Sequence, residues 1–279
     1  MSAYIGTFER KEVKYRLDAH KRSALVAALG DYMIEDQYGC TRIDSVYFDT
    51  NDHQLIARSL EKPLYKEKLR VRSYGPFDDA CVVFVEIKKK FKGIVYKRRV
   101  QMTKGAAESY LLRGISYEEA VANDPVISIA GKALGFEAES LQIAREIDAF
   151  CKRYRTLSPA MLISCQRVAY EMRPDRIDVA PARVTFDTDI SYRNLFDARH
   201  RASNELVRLM DDGESIMELK VAGAYPLWLT NLLTVHRAFP SSFSKYGSAY
   251  RDTLAACAAP VKHAHDIRAY TLNERNRCA

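Results

Sequence analysis

The chain has 279 residues (31.8 kDa), 47% hydrophobic and 28% charged, which excludes a disordered or low-complexity protein and supplies material for a core. A formal charge of +7 and a pI near 9.0 point to a polyanionic partner: nucleic acid, phosphate chains or an anionic membrane. The longest apolar run near a terminus, Ala24 to Leu29, is too short to span a bilayer, so no integral membrane segment is expected; six scattered cysteines without a C-x-x-C pair or an apolar leader argue against a disulfide framework or zinc site and for a reducing cytoplasm.

Phe8 to Leu17 alternates charge with hydrophobe and reads as a strand, after which Asp18 is a plausible N-cap for a helix to about Gly30. Ser45 to Asp49 reads as a strand stopped by Thr50-Asn51-Asp52, and a short helix follows over His53 to Leu60. Leu64 to Tyr74 is a charged strand ended by Gly75-Pro76, and Cys81 to Val100 reads as a hairpin turning at Lys92-Gly93. From Thr103 to Phe150 the spacing becomes helical, with breaks at Gly114, at Asn123-Asp124-Pro125 and between Gly131 and Gly135. Strands resume over Ala160 to Met172, Arg183 to Asp189 and Ser215 to Val221; Trp228 to Phe239 reads as a helix. No linker or charge run divides the chain, so one domain is expected over 1–259, followed by a tail over 260–279 that is a docked helix or a frayed end.

Three of these strands carry the same triplet: Glu12-Val13-Lys14, Glu86-Ile87-Lys88 and Glu218-Leu219-Lys220. At a two-residue period, the acid and base of each share one face. Lys68, Arg70 and Arg72 share a face on the next strand, as do Lys97 and Arg99, and as Arg183 does with Asp187. One such strand is most simply the wet side of an antiparallel sheet. Six or more strain that reading, because opposed like charges destabilise a sheet. The alternative is an α+β fold: an antiparallel closed barrel of about eight strands, charged inside and packed against helices outside. Lys14, Arg70, Arg72, Lys88, Lys97, Arg99, Arg167, Arg183, Lys220 and Lys245 against Glu12, Glu86, Asp187 and Glu218 give ten bases to four acids. Such a lumen is stable only if it is wet or holds a polyanion. Its acids suit a divalent metal that bridges phosphate oxygens.

The segments Phe8-Glu9-Arg10-Lys11 to Tyr15, Ser45-Val46-Tyr47-Phe48-Asp49, Leu69-Arg70-Val71-Arg72-Ser73-Tyr74-Gly75, Phe84-Val85-Glu86-Ile87-Lys88, Arg183-Val184-Thr185-Phe186-Asp187, Met217-Glu218-Leu219-Lys220 and Phe243-Ser244-Lys245-Tyr246 together resemble the VTC domain. That domain is the catalytic module of the vacuolar transporter chaperone polyphosphate polymerase, one of the triphosphate tunnel metalloenzymes. The resemblance runs over about 8–250 and implies a tunnel barrel that transfers the γ-phosphoryl group of ATP to a growing polyphosphate chain with a divalent metal, Mn²⁺ favoured or Mg²⁺. It implies that Lys14, Arg70, Arg72, Lys88, Lys97, Arg167 and Arg183 hold phosphates; Arg99 and Lys220 join them as lining bases. It further implies metal binding at Glu218 and catalysis by Lys245 near a tunnel mouth, beside Arg70 and Arg72. Arg forks suit bidentate phosphate contacts, and phosphoryl transfer needs mainly positioning and charge stabilisation. Cys165 and Ser242 stand where the family usually has Tyr and Lys. The regulatory and membrane parts of the eukaryotic assemblies are not expected here, and no oligomeric state is implied.

Glu12 and Glu86 read as metal ligands or as counter-ions to neighbouring lysines, and Asp49 as a turn former or a partner for a base. Trp228 reads as a packing residue, His263 and His265 as solvent-exposed, and Cys165 as no nucleophile, since no His lies near it in sequence. Two rivals to the polymerase remain. One is a hydrolase of the same tunnel class, with water as acceptor. The other is a non-enzymatic polyanion-binding module, which no paired aromatic residues on a basic face support; specific nucleic-acid binding is not expected.

Overall fold

The computed structural model describes residues 10–75, 77, 81–92, 94–128, 130–176, 181–197, 202 and 204–258. Phe8, Glu9, Pro76, Gly93, His263, His265 and the 260–279 tail lie outside them. In chain order the elements are β1 (Arg10–Leu17), α1 (Ala19–Leu29), β2 (Met33–Glu35), β3 (Thr41–Asp49), α2 (Gln54–Leu60), β4 (Tyr65–Tyr74), β5 (Val82–Phe91) and β6 (Ile94–Thr103). There follow α3 (Lys104–Leu112), α4 (Tyr117–Asn123), α5 (Ala138–Arg153), β7 (Ser158–Met172), β8 (Ala182–Asn194), β9 (Val207–Arg208), β10 (Ser215–Ala222), α6 (Leu227–Val235), β11 (Pro240–Ser241) and α7 (Lys245–Ala258).

Local chemistry sets many of these boundaries. Asp18 accepts a hydrogen bond from the Lys21 amide at 2.7 Å and starts α1, as Thr103 does for α3 through the Ala106 amide at 3.1 Å. Ser116 starts α4 in the same way, its hydroxyl accepting from the Glu119 amide at 3.2 Å. Gly135, at φ 102°, makes the turn before α5, where an added Cβ would meet Val121 Cγ1 at 3.0 Å.

All the described strands belong to one antiparallel sheet, ordered β11-β1-β10-β8-β7-β3-β4-β5-β6, with β2 and β9 added on β7 and β8. The closed barrel expected from the sequence is not what the hydrogen bonds trace. Among the described residues no ladder joins β6 to β1, and the sheet is a curled half-barrel. Bulges at Tyr47/Phe48 and at Ser164/Gln166 add twist that bends β3 and β7. The curl is tight enough that Lys88 on β5 reaches Glu12 on β1, Nζ to Oε2 at 3.6 Å.

The two faces of the sheet are chemically opposite. On the convex side, Leu69, Val71, Val85, Ile87 and Val100 are buried under α3, α4 and α5, with Ile147 and Phe150 among the helical partners. Leu17, Val184, Phe186, Leu219 and Val221 are buried under α1 and α6. The alternation on each strand then turns the charged residues inward. One end of the concave side is apolar: Ile43, Met161, Ile163, Cys165 and Tyr192 pack against Tyr246 and Ala249 of α7. A helix thus fills part of the trough and the charged residues line the rest.

Candidate functional site

The centre of the trough forms where β3, β4, β5 and β6 bring Tyr47, Arg70, Glu86 and Arg99 into cross-strand register. Arg70 Nε donates to Glu86 Oε2 at 2.7 Å and its Nη1 donates to the Tyr47 hydroxyl at 3.1 Å. Lys97 Nζ lies 2.7 Å and Arg99 Nη1 3.8 Å from Glu86 Oε1. Burial would raise the Glu86 carboxyl, but Arg70, Arg72 and Lys97 outweigh it and hold the group at about 2. Tyr47 is governed by the same balance. Burial pushes its phenol up, and Arg70, then Arg72 and Lys68, bring it down to about 7.

The opposite wall comes from β1, β7, β8 and β10. Arg167 grips Asp187 with two donors, Nε at 2.5 Å and Nη2 at 2.6 Å, and Lys245 at the start of α7 pairs with the same carboxylate. Glu218 is bracketed by Lys14 Nζ at 3.2 Å and Arg167 Nη2 at 3.6 Å. Burial opposes its ionisation, yet Lys14, Lys245 and Arg167 keep its pKa well below the usual carboxylate range. Lys245 loses from burial but gains more from Asp187, and its pKa is raised. Asp49 resolves as a structural pin. Its buried carboxylate accepts from the Leu55 and Ile56 amides at 2.8 and 3.0 Å and from the Tyr246 hydroxyl at 2.7 Å, tying the starts of α2 and α7 together.

All fourteen charged residues that the sequence assigns to the lumen share this concave surface: Glu12, Lys14, Arg70, Arg72, Glu86, Lys88, Lys97, Arg99, Arg167, Arg183, Asp187, Glu218, Lys220 and Lys245. Arg183, opposite Lys220 on β10, stands on this face toward one rim, where its Nη2 donates to Asp36 at 2.8 Å and is already held by an acid. Glu12 and Glu86 both contact lysines, as counter-ions do. Cys165 is buried in the apolar end, and burial pushes its thiol up. Trp228 packs flat on Tyr32 at 4.2 Å. Among the described residues no three His, Cys, Asp or Glu side chains gather as a metal cage.

Sequence reasoning missed three features. Tyr47 follows Ser45 at strand spacing, but only the register opposite Arg70 gives it a partner. Lys68, placed on the face of Arg70 and Arg72 by the sequence but given no role there, donates to Ser244 Oγ at 3.4 Å, and burial lowers its ammonium to about 8. The third overturns an expectation. A paired aromatic surface does stand on the basic face: Tyr74 and Phe84 meet edge to face at 5.7 Å, with Arg99 lying 4.3 Å over the Phe84 ring.

The VTC-domain family profile matches residues 9–253. The chain belongs to the VTC-domain family. Vacuolar transporter chaperone complex subunit 4 of Schizosaccharomyces pombe is 29% identical over 232 residues, which cover 73% of this chain and 30% of that protein. This VTC domain therefore spans under a third of that relative's length. A crystal structure described as a candidate adenylate cyclase from Vibrio parahaemolyticus superposes with a TM-score of 0.42 at 10% identity, over 90% of this chain and 99% of that one, a fit too loose to argue from. Among the described residues of the VTC domain, no helix is long and apolar enough to cross a membrane.

Proposed function

We propose that this VTC domain is an ATP-dependent polyphosphate polymerase of the triphosphate tunnel class. The supporting observation is the concave face itself, where bases from seven strands and α7 converge on buried carboxylates and outnumber them. In the proposed reaction a terminal oxygen of the phosphate chain attacks the γ-phosphorus of ATP. The bond from that phosphorus to the β-bridging oxygen breaks, and ADP leaves with the electron pair. Little covalent chemistry falls to the protein; alignment and charge stabilisation suffice. Arg70 and Arg72 present guanidinium forks to the transferred group. Arg72 donates to Ser45 Oγ at 3.1 Å and, among the described residues, has no carboxylate within ion-pair reach, so it is ready for a phosphate. Lys245 releases Asp187 to neutralise charge as the bond to ADP breaks.

A divalent ion, when bound, supplies charge neutralisation across phosphate oxygens. Glu218 is the residue that would hold it. A lone carboxylate completed by phosphate oxygens and water is what Mg²⁺ or Mn²⁺ accepts, so the donor set fits. Cys40, Cys151 and Cys165 are free thiols, which suits the cytoplasmic setting we infer.

Incubation with ATP and Mn²⁺, with products resolved by size, is the test. Chains longer than triphosphate are expected from the wild type. Arg70→Ala should reduce their formation by about 100-fold or more, the usual cost of one preorganised donor to a transferring group. Orthophosphate released with no longer chain would establish water as the acceptor and a hydrolase in place of the polymerase.

A further inference from the structure

The convex face of β5 and β6 keeps its apolar pattern past the point where helices cover it. Val85 and Ile87 are buried under α3, α4 and α5, at 0% and 2% exposure. Phe91, on the same face of the same strand, is 44% exposed. Between them, Lys89 still reaches α5 through Glu146 at 3.2 Å, as Arg98 does at 3.3 Å. Phe91 stands opposite Ile94 on β6, and Tyr96, also 44% exposed, stands opposite Lys89. Leu64, 72% exposed, joins them from the turn before β4, its carbonyl accepting from the Lys92 amide at 2.9 Å. Leu64, Phe91, Ile94 and Tyr96 thus end the sheet in an exposed apolar tip.

Lysines surround this tip. Lys62, Lys90 and Lys92 are exposed, and among the described residues none has a carboxylate within ion-pair distance; the acid in the same turn is Glu61. The Lys92 ammonium lies 5.4 Å over the Phe91 ring. Lys62 and Lys92 are held at φ 56° and 46°, in the left-handed region where glycine is the usual occupant. Strain of this kind gathers at functional positions, and here it falls on two lysines of adjoining turns.

We propose that this end of the sheet docks on a membrane surface bearing anionic lipid, with Leu64, Phe91 and Tyr96 entering the headgroup layer and Lys62, Lys90 and Lys92 pairing with lipid phosphates. The proposal goes beyond the polymerase reading and does not rest on it. Aliphatic side chains serve neither nucleic acid nor free phosphate, which take cations and stacking rings. Lysines are depleted from protein interfaces, which disfavours a protein partner. A bilayer interface uses both groups at once: rings and aliphatics sit at the headgroup boundary, and ammonium groups on flexible stems reach the phosphates. The net charge of +7 adds long-range attraction to the same surface.

The test is co-sedimentation of the full chain with phosphatidylcholine vesicles, with and without phosphatidylglycerol. Binding is expected only with the anionic lipid, and Leu64→Ser with Phe91→Ser should weaken it about ten-fold or more. Lys62→Gln with Lys92→Gln should weaken it about five-fold for each charge removed. Unchanged circular dichroism and tripolyphosphate affinity serve as the folding check. Tripolyphosphate at matched ionic strength, filling the trough, should leave vesicle binding intact. No binding to the anionic vesicles overturns the proposal, as does equal binding to both lipids. Binding that tripolyphosphate abolishes also overturns it, because the trough is then the site. Binding unchanged by Leu64→Ser with Phe91→Ser overturns it too, since general charge attraction then suffices. Should that variant fail to fold, the lysine variant decides: the expected weakening supports the proposal, and unchanged affinity overturns it.

Discussion

At Tyr47 three cations converge on one phenol, and the consequence is a measurable proton equilibrium. Arg70 donates to its oxygen, Arg72 and Lys68 add positive potential, and Tyr246 stacks on its ring at 4.8 Å, keeping water from the face. The folded value of about 7 lies below the value near 10 of an unfolded tyrosine. The folded state therefore favours the phenolate, and that contribution to stability is complete above about pH 10 and lost as pH falls through 7. Lys68 acts in the same direction, because burial resists charging it and holds it at about 8, so folding is penalised most below that pH. Glu86 behaves as a conventional acid. Its stabilisation is present above its ordinary value of 4.5 and lost as pH falls toward 2. Ultraviolet titration of tyrosinate should show one group titrating near pH 7, absent in Tyr47→Phe and shifted upward by tripolyphosphate, which cancels the cationic potential. If every tyrosine ionises at 10 or above, the three cations do not act on Tyr47 as the geometry requires.

At the scale of elements, α7 matters most, because it carries Lys245 into the trough and plugs the apolar end with Tyr246. Its position depends on Asp49, a buried carboxylate shared between the α2 amides and the Tyr246 hydroxyl. Asp49→Asn leaves one of those donors without an acceptor and should cost about 1–3 kcal/mol by denaturant unfolding. Tyr246→Phe should cost less, and the two changes should be strongly non-additive, since both break one contact. Additive effects would show that Asp49 serves α2 alone. None of this was legible in the sequence, where Asp49 was balanced between two roles. Its partner lies 197 positions away, and no local period reports so distant a contact. The short strands β2, β9 and β11 escaped for a related reason: two or three residues carry no alternation to read. What the sequence did disclose was the inward face of the long strands, because Glu-x-Lys repeated at a two-residue period leaves the charges no other shared surface. The closure of the sheet was over-read. Alternation specifies faces, whereas closure depends on whether the strands at the two edges find each other's hydrogen bonds, and here β5 and β1 meet through the side chains of Lys88 and Glu12 instead.

For the molecule as a whole, the curled sheet concentrates positive charge in a partly desolvated trough and spends its few acids at the centre. Folding therefore works against self-repulsion that the extended chain does not feel. An anion that fits the trough relieves that repulsion only in the native state, and mass action turns its binding into stability. At a concentration about 100 times its dissociation constant, tripolyphosphate should add roughly 2.7 kcal/mol. For a domain of this size that corresponds to about 5–10 °C in the unfolding midpoint. Sulfate at matched ionic strength should add less, because it cannot bridge the walls formed by Arg70 and Arg167. Arg70→Ala should lose most of the tripolyphosphate shift while keeping the response to sulfate. The comparison is informative because simple screening predicts the opposite pattern: equal shifts for the two anions at equal ionic strength, and no dependence on Arg70. Equal shifts would mean that the trough is a diffuse positive field and not a site shaped for a phosphate chain.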